Sequence, residues 1–219
     1  GLGLLDHLID QRGYLHTFDY DSLGRLARDD DPAGGFITLS RTETGDGYQV
    51  SLATALGRTT TYEVTTLSAG GTDLVNTMPS GSIVITRSLD NGTTTSWLPD
   101  GTVTEEVQGP DPRFGMQSPI IKSSTVSSPG GLVQRTASGG TVVLANPDDP
   151  VSLLSRTDTP TINGRTYTTI YDNATLTTTM TTPAGRRTVG RIDGTGRLVS
   201  MQADNTYTPP VLPVKFSYD

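Results

Sequence analysis

Cysteine is absent from the 219 residues, which excludes disulfides and thiolate metal sites while leaving the compartment open. Charge is scarce as well. Asp, Glu, Lys and Arg together make up 18%, with a net charge of -7, a balance that repels a phosphate backbone. The longest basic run is Arg186-Arg187, and no basic patch is interleaved with aromatics, so nucleic acid is not an expected partner. Hydrophobic residues reach 33% and aromatics 6%, which predicts a thin core. No apolar run approaches the length of a membrane-spanning helix, and Gly1 to Asp10 lacks the charged start and cleavage site of a secretory signal. The ending Lys215-Phe216-Ser217-Tyr218-Asp219 reads as a cut through a longer pattern.

What the chain has in abundance is threonine, roughly one residue in six, with runs at Thr59 to Thr61, Thr93 to Thr95 and Thr177 to Thr179. A branched Cβ restricts χ1 and suits a pleated surface, while the hydroxyl keeps an exposed strand face wet. Alternation of period two recurs in Ser82 to Thr86, Thr102 to Thr104 and Thr166 to Tyr171, and each stretch reads as a short strand. Asp90-Asn91-Gly92, Pro99-Asp100-Gly101, Ile162-Asn163-Gly164 and Pro183-Ala184-Gly185 lie between them and supply the positive φ that tight hairpins need. The single helix-like window, Leu2 to Asp10, is short and flanked by glycine. The expected class is all-β: an elongated antiparallel sheet of consecutive hairpins.

A recurring unit runs through this pattern. Its clearest copy is Phe18-Asp19-Tyr20-Asp21-Ser22-Leu23-Gly24-Arg25-Leu26. Gly57-Arg58 followed by Tyr62, Gly164-Arg165 followed by Tyr171-Asp172, and Gly185-Arg186 and Gly196-Arg197 ahead of Tyr218-Asp219 repeat parts of it. Glycine serves the turn, tyrosine lays a ring on the sheet, and aspartate accepts bonds from turn amides, with arginine as its candidate partner. The pattern resembles the YD or RHS repeat family of bacterial RHS proteins, insecticidal toxin-complex shells and animal teneurins. Three segments follow from it: YD-type repeats over 1–71, degenerate hairpin repeats over 72–146 where the Tyr-Asp signature disappears, and YD-type repeats over 147–219. The resemblance implies a sheet spiralling as part of a hollow shell, in a secreted or cell-surface protein.

Candidate sites are sparse. Asp29-Asp30-Asp31-Pro32 and Asn146-Pro147-Asp148-Asp149-Pro150 carry calcium-type oxygens but follow no EF-hand or glycine-rich calcium repeat, and they read as solvated turns. Glu105-Glu106 project to opposite faces of a strand, which is no glycosidase pair. His7 and His16 are the only histidines, and no Gly-x-Ser-x-Gly elbow presents a serine. Gly109-Pro110-Asp111-Pro112-Arg113-Phe114-Gly115 is similar to the Asp-Pro core at which RHS proteins cleave themselves. Met116-Gln117-Ser118-Pro119 departs from that core, and Asp111 reads as part of a proline-rich loop. Asn91-Gly92-Thr93 and Asn173-Ala174-Thr175 fit the glycosylation pattern, which a threonine-rich chain generates by chance. Trp97, the sole tryptophan, could stack a sugar together with Tyr48 and other tyrosines (Tyr14, Tyr20, Tyr62).

The expectation is a structural repeat segment with no catalytic residue, no metal and no cofactor. Its expected partners are neighbouring repeats of the same longer chain and either an enclosed toxin or a surface glycan, with no membrane span of its own. A carbohydrate-binding or adhesin module is the alternative, and a hydrolase a remote third.

Overall fold

A computed structural model describes residues 3–203 and 211–218. Its secondary structure is entirely strand. The elements are β1 (His7–Ile9), β2 (Leu15–Tyr20), β3 (Leu26–Asp30), β4 (Phe36–Glu43), β5 (Gly47–Thr54), β6 (Thr59–Thr66), β7 (Thr72–Thr77), β8 (Ile83–Ser88), β9 (Thr93–Trp97), β10 (Val103–Asp111) and β11 (Gly115–Ser127). They continue as β12 (Val133–Ala137), β13 (Gly140–Leu144), β14 (Leu153–Asp158), β15 (Thr161–Ile162), β16 (Arg165–Thr166), β17 (Thr168–Asp172), β18 (Thr177–Thr181), β19 (Arg187–Ile192), β20 (Leu198–Ala203) and β21 (Val214–Lys215). The strands lie in two open sheets, not a closed barrel, so the expected all-β succession of hairpins is what the chain forms. The window Leu2 to Asp10 contributes β1 and no helix among the described residues.

Two compact units divide at Val103/Thr104. That division follows contacts, whereas the boundaries expected at 71/72 and 146/147 follow where a motif fades. In the first unit β1 to β9 pair antiparallel in chain order. The second unit holds β11, β12, β15 and β16 in one antiparallel run and β13-β14-β17-β18-β19-β20-β21 in another.

One local device closes most of the hairpins. At Asp10–Tyr14, Asp21–Arg25, Asp31–Gly35, Thr54–Arg58, Leu67–Gly71, Met78–Ser82, Leu89–Thr93, Leu98–Thr102, Ser128–Leu132, Thr182–Arg186 and Asp193–Arg197, the first amide donates to the fifth carbonyl, and the fourth amide donates to the first carbonyl. The fourth residue is always glycine at positive φ, from +72° at Gly57 to +91° at Gly70. This is a three-residue loop made of a type I turn followed by a left-handed residue, whose twist suits antiparallel strands. Asn163-Gly164, with φ of 48° and 76°, instead forms the two-residue turn between β15 and β16, which takes two positive φ angles. The segment 72–146 has lost its Tyr-Asp pairs and keeps the five-residue turn at Met78, Leu89, Leu98 and Ser128.

The stretch Thr166 to Tyr171, expected as one strand, is two. Arg165-Thr166 closes the short β15–β16 hairpin, the Tyr167 amide donates to the Pro160 carbonyl at 2.9 Å, and Thr168 onward joins β14 and β18. The alternation is continuous, but the hydrogen-bonding partners change at Tyr167.

The thin core is thinner than composition implied. Among the described residues no apolar side chain is buried, and Asp111, 7% exposed, is the one buried polar side chain. Register nevertheless sorts the faces. Opposite residues share a face, and the pairs Leu39↔Leu52, Val50↔Tyr62 and Val64↔Leu74 put an apolar block, with Ile37, on one side of β4 to β7. Ser40↔Ser51↔Thr61, Gln49↔Glu63 and Thr61↔Thr77 make the other side mainly polar, with Phe36, Ala53 and Val75 as its apolar members. With no interior to hold it, the sheet rests on its ladder, its cross-strand pairs and its turns.

Gly81 has φ +83° and open space around its Cα, whereas a methyl at Gly71, φ +104°, would run into the Ser88 and Leu89 backbone. Gly81→Ala is therefore expected to cost about 1–2 kcal/mol, the price of a left-handed alanine. Gly71→Ala should cost more than about 3 kcal/mol, since overpacking adds to the same conformational cost. Urea midpoints of the two variants check this, and equal losses would contradict the packing role given to Gly71.

Candidate functional site

The signature residues are turn parts, and two copies carry a side-chain clamp. Asp21 Oδ1 accepts from the amides of Leu23 and Arg25, both at 2.9 Å, and Oδ2 accepts from Arg25 Nε at 2.7 Å. Asp193 repeats this, with Oδ1 accepting from Thr195 at 2.9 Å and Arg197 at 3.0 Å and Oδ2 from Arg197 Nε at 3.0 Å. The Arg25 amide and then its guanidinium hold the Asp21 carboxyl below its ordinary range. The Thr195 hydroxyl and the Arg197 amide hold Asp193 well below it. Tyr20 pairs across the strand with Leu26 and donates its hydroxyl to the Leu5 carbonyl at 2.8 Å. Tyr218 donates to the Leu198 carbonyl at 2.7 Å under the Arg197 guanidinium, 4.9 Å from its ring centroid.

The remaining copies keep only pieces. Gly57 and Gly185 are the left-handed residues of their turns, but threonine opens both, so Arg58 and Arg186 receive no carboxylate there and their amides donate to Thr54 and Thr182 hydroxyls. Gly164 belongs to the two-residue turn, and Arg165 follows it as the first residue of β16, opposite Ile162. Asp172 accepts from the Thr175 amide and hydroxyl, and Tyr171 donates to Asn173 at 3.0 Å. Tyr62 is exposed on the apolar face of β6. Asp219 lies outside the described residues.

Trp97 and Tyr48 do not form one platform. Tyr48↔Val64↔Leu74↔Thr86↔Ser96 runs along one face, so Trp97 projects from the other. Tyr48 is covered by the Arg41 guanidinium, 3.6 Å from its centroid. Trp97 lies opposite Ile85, beside a depression of about 550 Å³ lined by Ser80, Ser82, Ile83 and Pro99. Its neighbour Arg87, 6.0 Å from the ring, forks onto Asp73 at 2.8 and 2.6 Å.

Sequence reading missed a second motif, an arginine and an acid two residues apart on one strand face. Arg28 forks onto Asp30 at 2.6 Å through both nitrogens and lies 4.0 Å over Phe36, the cross-strand partner of Asp30. Arg41 forks onto Glu43 at 2.7 and 3.2 Å and covers Tyr48, the partner of Glu43. The signal was present as Arg-x-Asp/Glu at a strand end followed by an aromatic at the start of the next strand.

The driest charge cluster centres on Asp111. Its Oδ1 accepts from the amides of Arg113 at 2.7 Å and Phe114 at 3.0 Å, and its Oδ2 lies 3.3 Å from Arg156 Nη1. Arg156 also donates Nε to Asp158 at 2.8 and 3.0 Å, while Arg113 Nε donates to the Pro150 carbonyl. Burial pushes the Asp111 carboxyl up, but the two amides and Arg156 outweigh it and the group titrates below its ordinary value. A depression of about 410 Å³ lined by Pro112, Ile120, Ile121 and Pro160 adjoins Arg156 and Asp158. Asp111 thus ties the turn after β10 to β14, the role of a latch.

The acidic runs act as turn caps: Asp31 takes the Ala33 amide, Asn146 that of Asp148 and Asp149 that of Val151. Among the described residues no three His, Asp or Glu side chains converge as a metal site. Comparison with protein-family models and with curated proteins finds no match for this chain.

Asp111→Asn should cost about 1–3 kcal/mol at pH 7, because the buried side chain gives up its charge-assisted contact with the half-exposed Arg156. A carboxylate depressed in the folded state contributes stability that is present above its unfolded pKa, about 3.9, and is lost as pH falls through the lower folded value. The wild type should therefore lose stability below about pH 4 more steeply than Asp111→Asn. Denaturant melts of both proteins from pH 7 to pH 2.5 test this, and parallel curves would refute the latch.

Proposed function

We propose that this chain is a structural segment of a YD/RHS-type repeat protein, secreted or displayed at the cell surface, whose sheet forms part of a shell or stalk around or beneath a cargo. The observation that carries the reading is the recurrence of one glycine-closed hairpin turn eleven times. Its Asp-x-x-Gly-Arg clamp appears at Asp21–Arg25 near one end of the chain and at Asp193–Arg197 near the other. A meander of this kind extends by adding hairpins, each contacting mainly its neighbours, which suits an array. The open ladder of β1 suits pairing with a neighbouring repeat. In this reading the chain performs no chemistry and needs no cofactor.

The competing reading, a carbohydrate-binding module, draws on Trp97 beside hydroxyl-bearing Ser80 and Ser82. Tyr48 supports it less, because Arg41 covers the ring.

Two measurements test the proposal. Cryo-electron microscopy of the full-length parent chain should reveal antiparallel strands continuing from β1 and enclosing or displaying a further domain; a β1 edge left open on an isolated domain would refute it. A glycan array probed with the chain should stay flat. Binding that disappears in Trp97→Ala would replace the structural reading with the binding module.

A further inference from the structure

We infer that Thr182 is a phosphorylation site, at which the added phosphate takes the place that aspartate holds in the clamped turns and closes onto Arg186. The inference concerns one turn and does not rest on the family reading. The chain carries its own comparison, because four copies of the five-residue turn end in Gly-Arg. In Asp21–Arg25 and Asp193–Arg197 the opening carboxylate accepts from the fifth amide, at 2.9 and 3.0 Å, and from the Nε of the same arginine, at 2.7 and 3.0 Å. In Thr54–Arg58 and Thr182–Arg186 the threonine Oγ1 accepts from that same fifth amide, at 3.3 and 3.2 Å. The hydroxyl thus stands where the aspartate Oδ1 stands, and what it lacks is the second oxygen and the charge. The Arg186 guanidinium has no carboxylate partner among the described residues.

Accessibility and sequence select Thr182 over Thr54. Thr182 to Arg186 are exposed throughout, whereas Thr54 is half-buried. Pro183 follows Thr182 and Ala55 follows Thr54, so only the former offers the Thr-Pro step that proline-directed kinases require. Ser128-Pro129 opens the same kind of turn, but its fifth residue is Leu132, and a phosphate there has no guanidinium to meet. The Thr182 turn closes instead on Arg186-Arg187, the longest basic run of the chain. In the transfer, Thr182 Oγ1 attacks the γ-phosphorus of ATP and the bond from that phosphorus to the bridging oxygen breaks. ADP leaves with the electron pair, and the hydroxyl proton passes to the base of the kinase. The product carries a charge of about −1.5 to −2 and three acceptor oxygens, and charge-assisted bonds of this kind are about twice as strong as neutral ones. The β18–β19 hairpin is then a copy whose clamp is set by modification, where Asp21 and Asp193 set theirs by sequence.

The purified chain, incubated folded with a proline-directed serine/threonine kinase and Mg²⁺-ATP, tests the inference through phosphopeptide mapping and ³¹P NMR titration of the product. The expected map shows phosphate at Thr182, lost in Thr182→Ala, and none at Thr54. That phosphate should titrate at about pH 5.5 or below, against about pH 6 for an unperturbed phosphomonoester, and should return to about pH 6 in Arg186→Ala. Arg186 is exposed, so the variant should keep the fold and its loss of the shift reports the clamp itself. A folded chain that takes up no phosphate at Thr182, or a phosphate that titrates alike with and without the Arg186 side chain, would each overturn the inference.

Discussion

Everything in this protein hangs on a glycine held at positive φ in the fourth position of a five-residue turn. With no apolar side chain buried among the described residues, a hydrophobic core cannot choose between strand registers, and a slip of one residue would exchange the two faces of every strand. The turn chooses instead. Each copy forms two backbone bonds of defined length, such as Met78 to Ser82 at 2.8 Å and Gly81 to Met78 at 2.8 Å, and a non-glycine residue in the fourth place would carry a left-handed penalty. The first residue is interchangeable, being Asp, Thr, Leu, Met or Ser, because only its backbone is obligatory. Where it is aspartate, as at Asp21, the side chain adds two amide bonds and an arginine clamp.

The arginines supply the second layer of order. The chain has 16 basic residues, yet lysine occurs only at Lys122 and Lys215, a bias that a single-layer sheet rewards. A guanidinium can fork onto a carboxylate and lay its plane on an aromatic ring at once, which an ammonium cannot. Arg28 and Arg41 do both, each bonding an acid two residues on and covering the aromatic opposite that acid. Exposed pairs of this type contribute little individually. Their effect here is to cover ring faces that no core would otherwise cover, and to mark strand ends at which the register is read.

The fold class was legible because its determinants are local. Threonine runs and Gly, Pro and Asn punctuation follow from χ1 stiffness and positive φ, and both survive without knowledge of partners. The repeat was legible only in part, since Tyr20-Asp21 drew the eye to two residues whose common element is Gly24. Through 72–146 the glycine remained while its companions changed, and the turn geometry persisted. The break at Tyr167 was not legible, because alternation is the same in Thr166 as in Thr168 and the choice of partner strand is a long-range matter. The Asp111–Arg156 contact spans 45 positions of sequence, and no local pattern announces it.

A sheet open on both sides also limits how this molecule can act on others. Strong polar recognition draws on groups held away from water, where a hydrogen bond or a charge is worth several times its value at a surface. Around Asp111 the chain offers such a setting, and there the carboxylate is already committed to two amides and an arginine. Elsewhere the side chains are half-exposed, and contact with a partner has to gain its free energy from area. The apolar block of β4 to β7, with Tyr48 beside Val64, gathers apolar side chains in one piece, whereas Trp97 stands on the opposite face beside Ile85. Extent, repeated from hairpin to hairpin, is the property that this architecture multiplies.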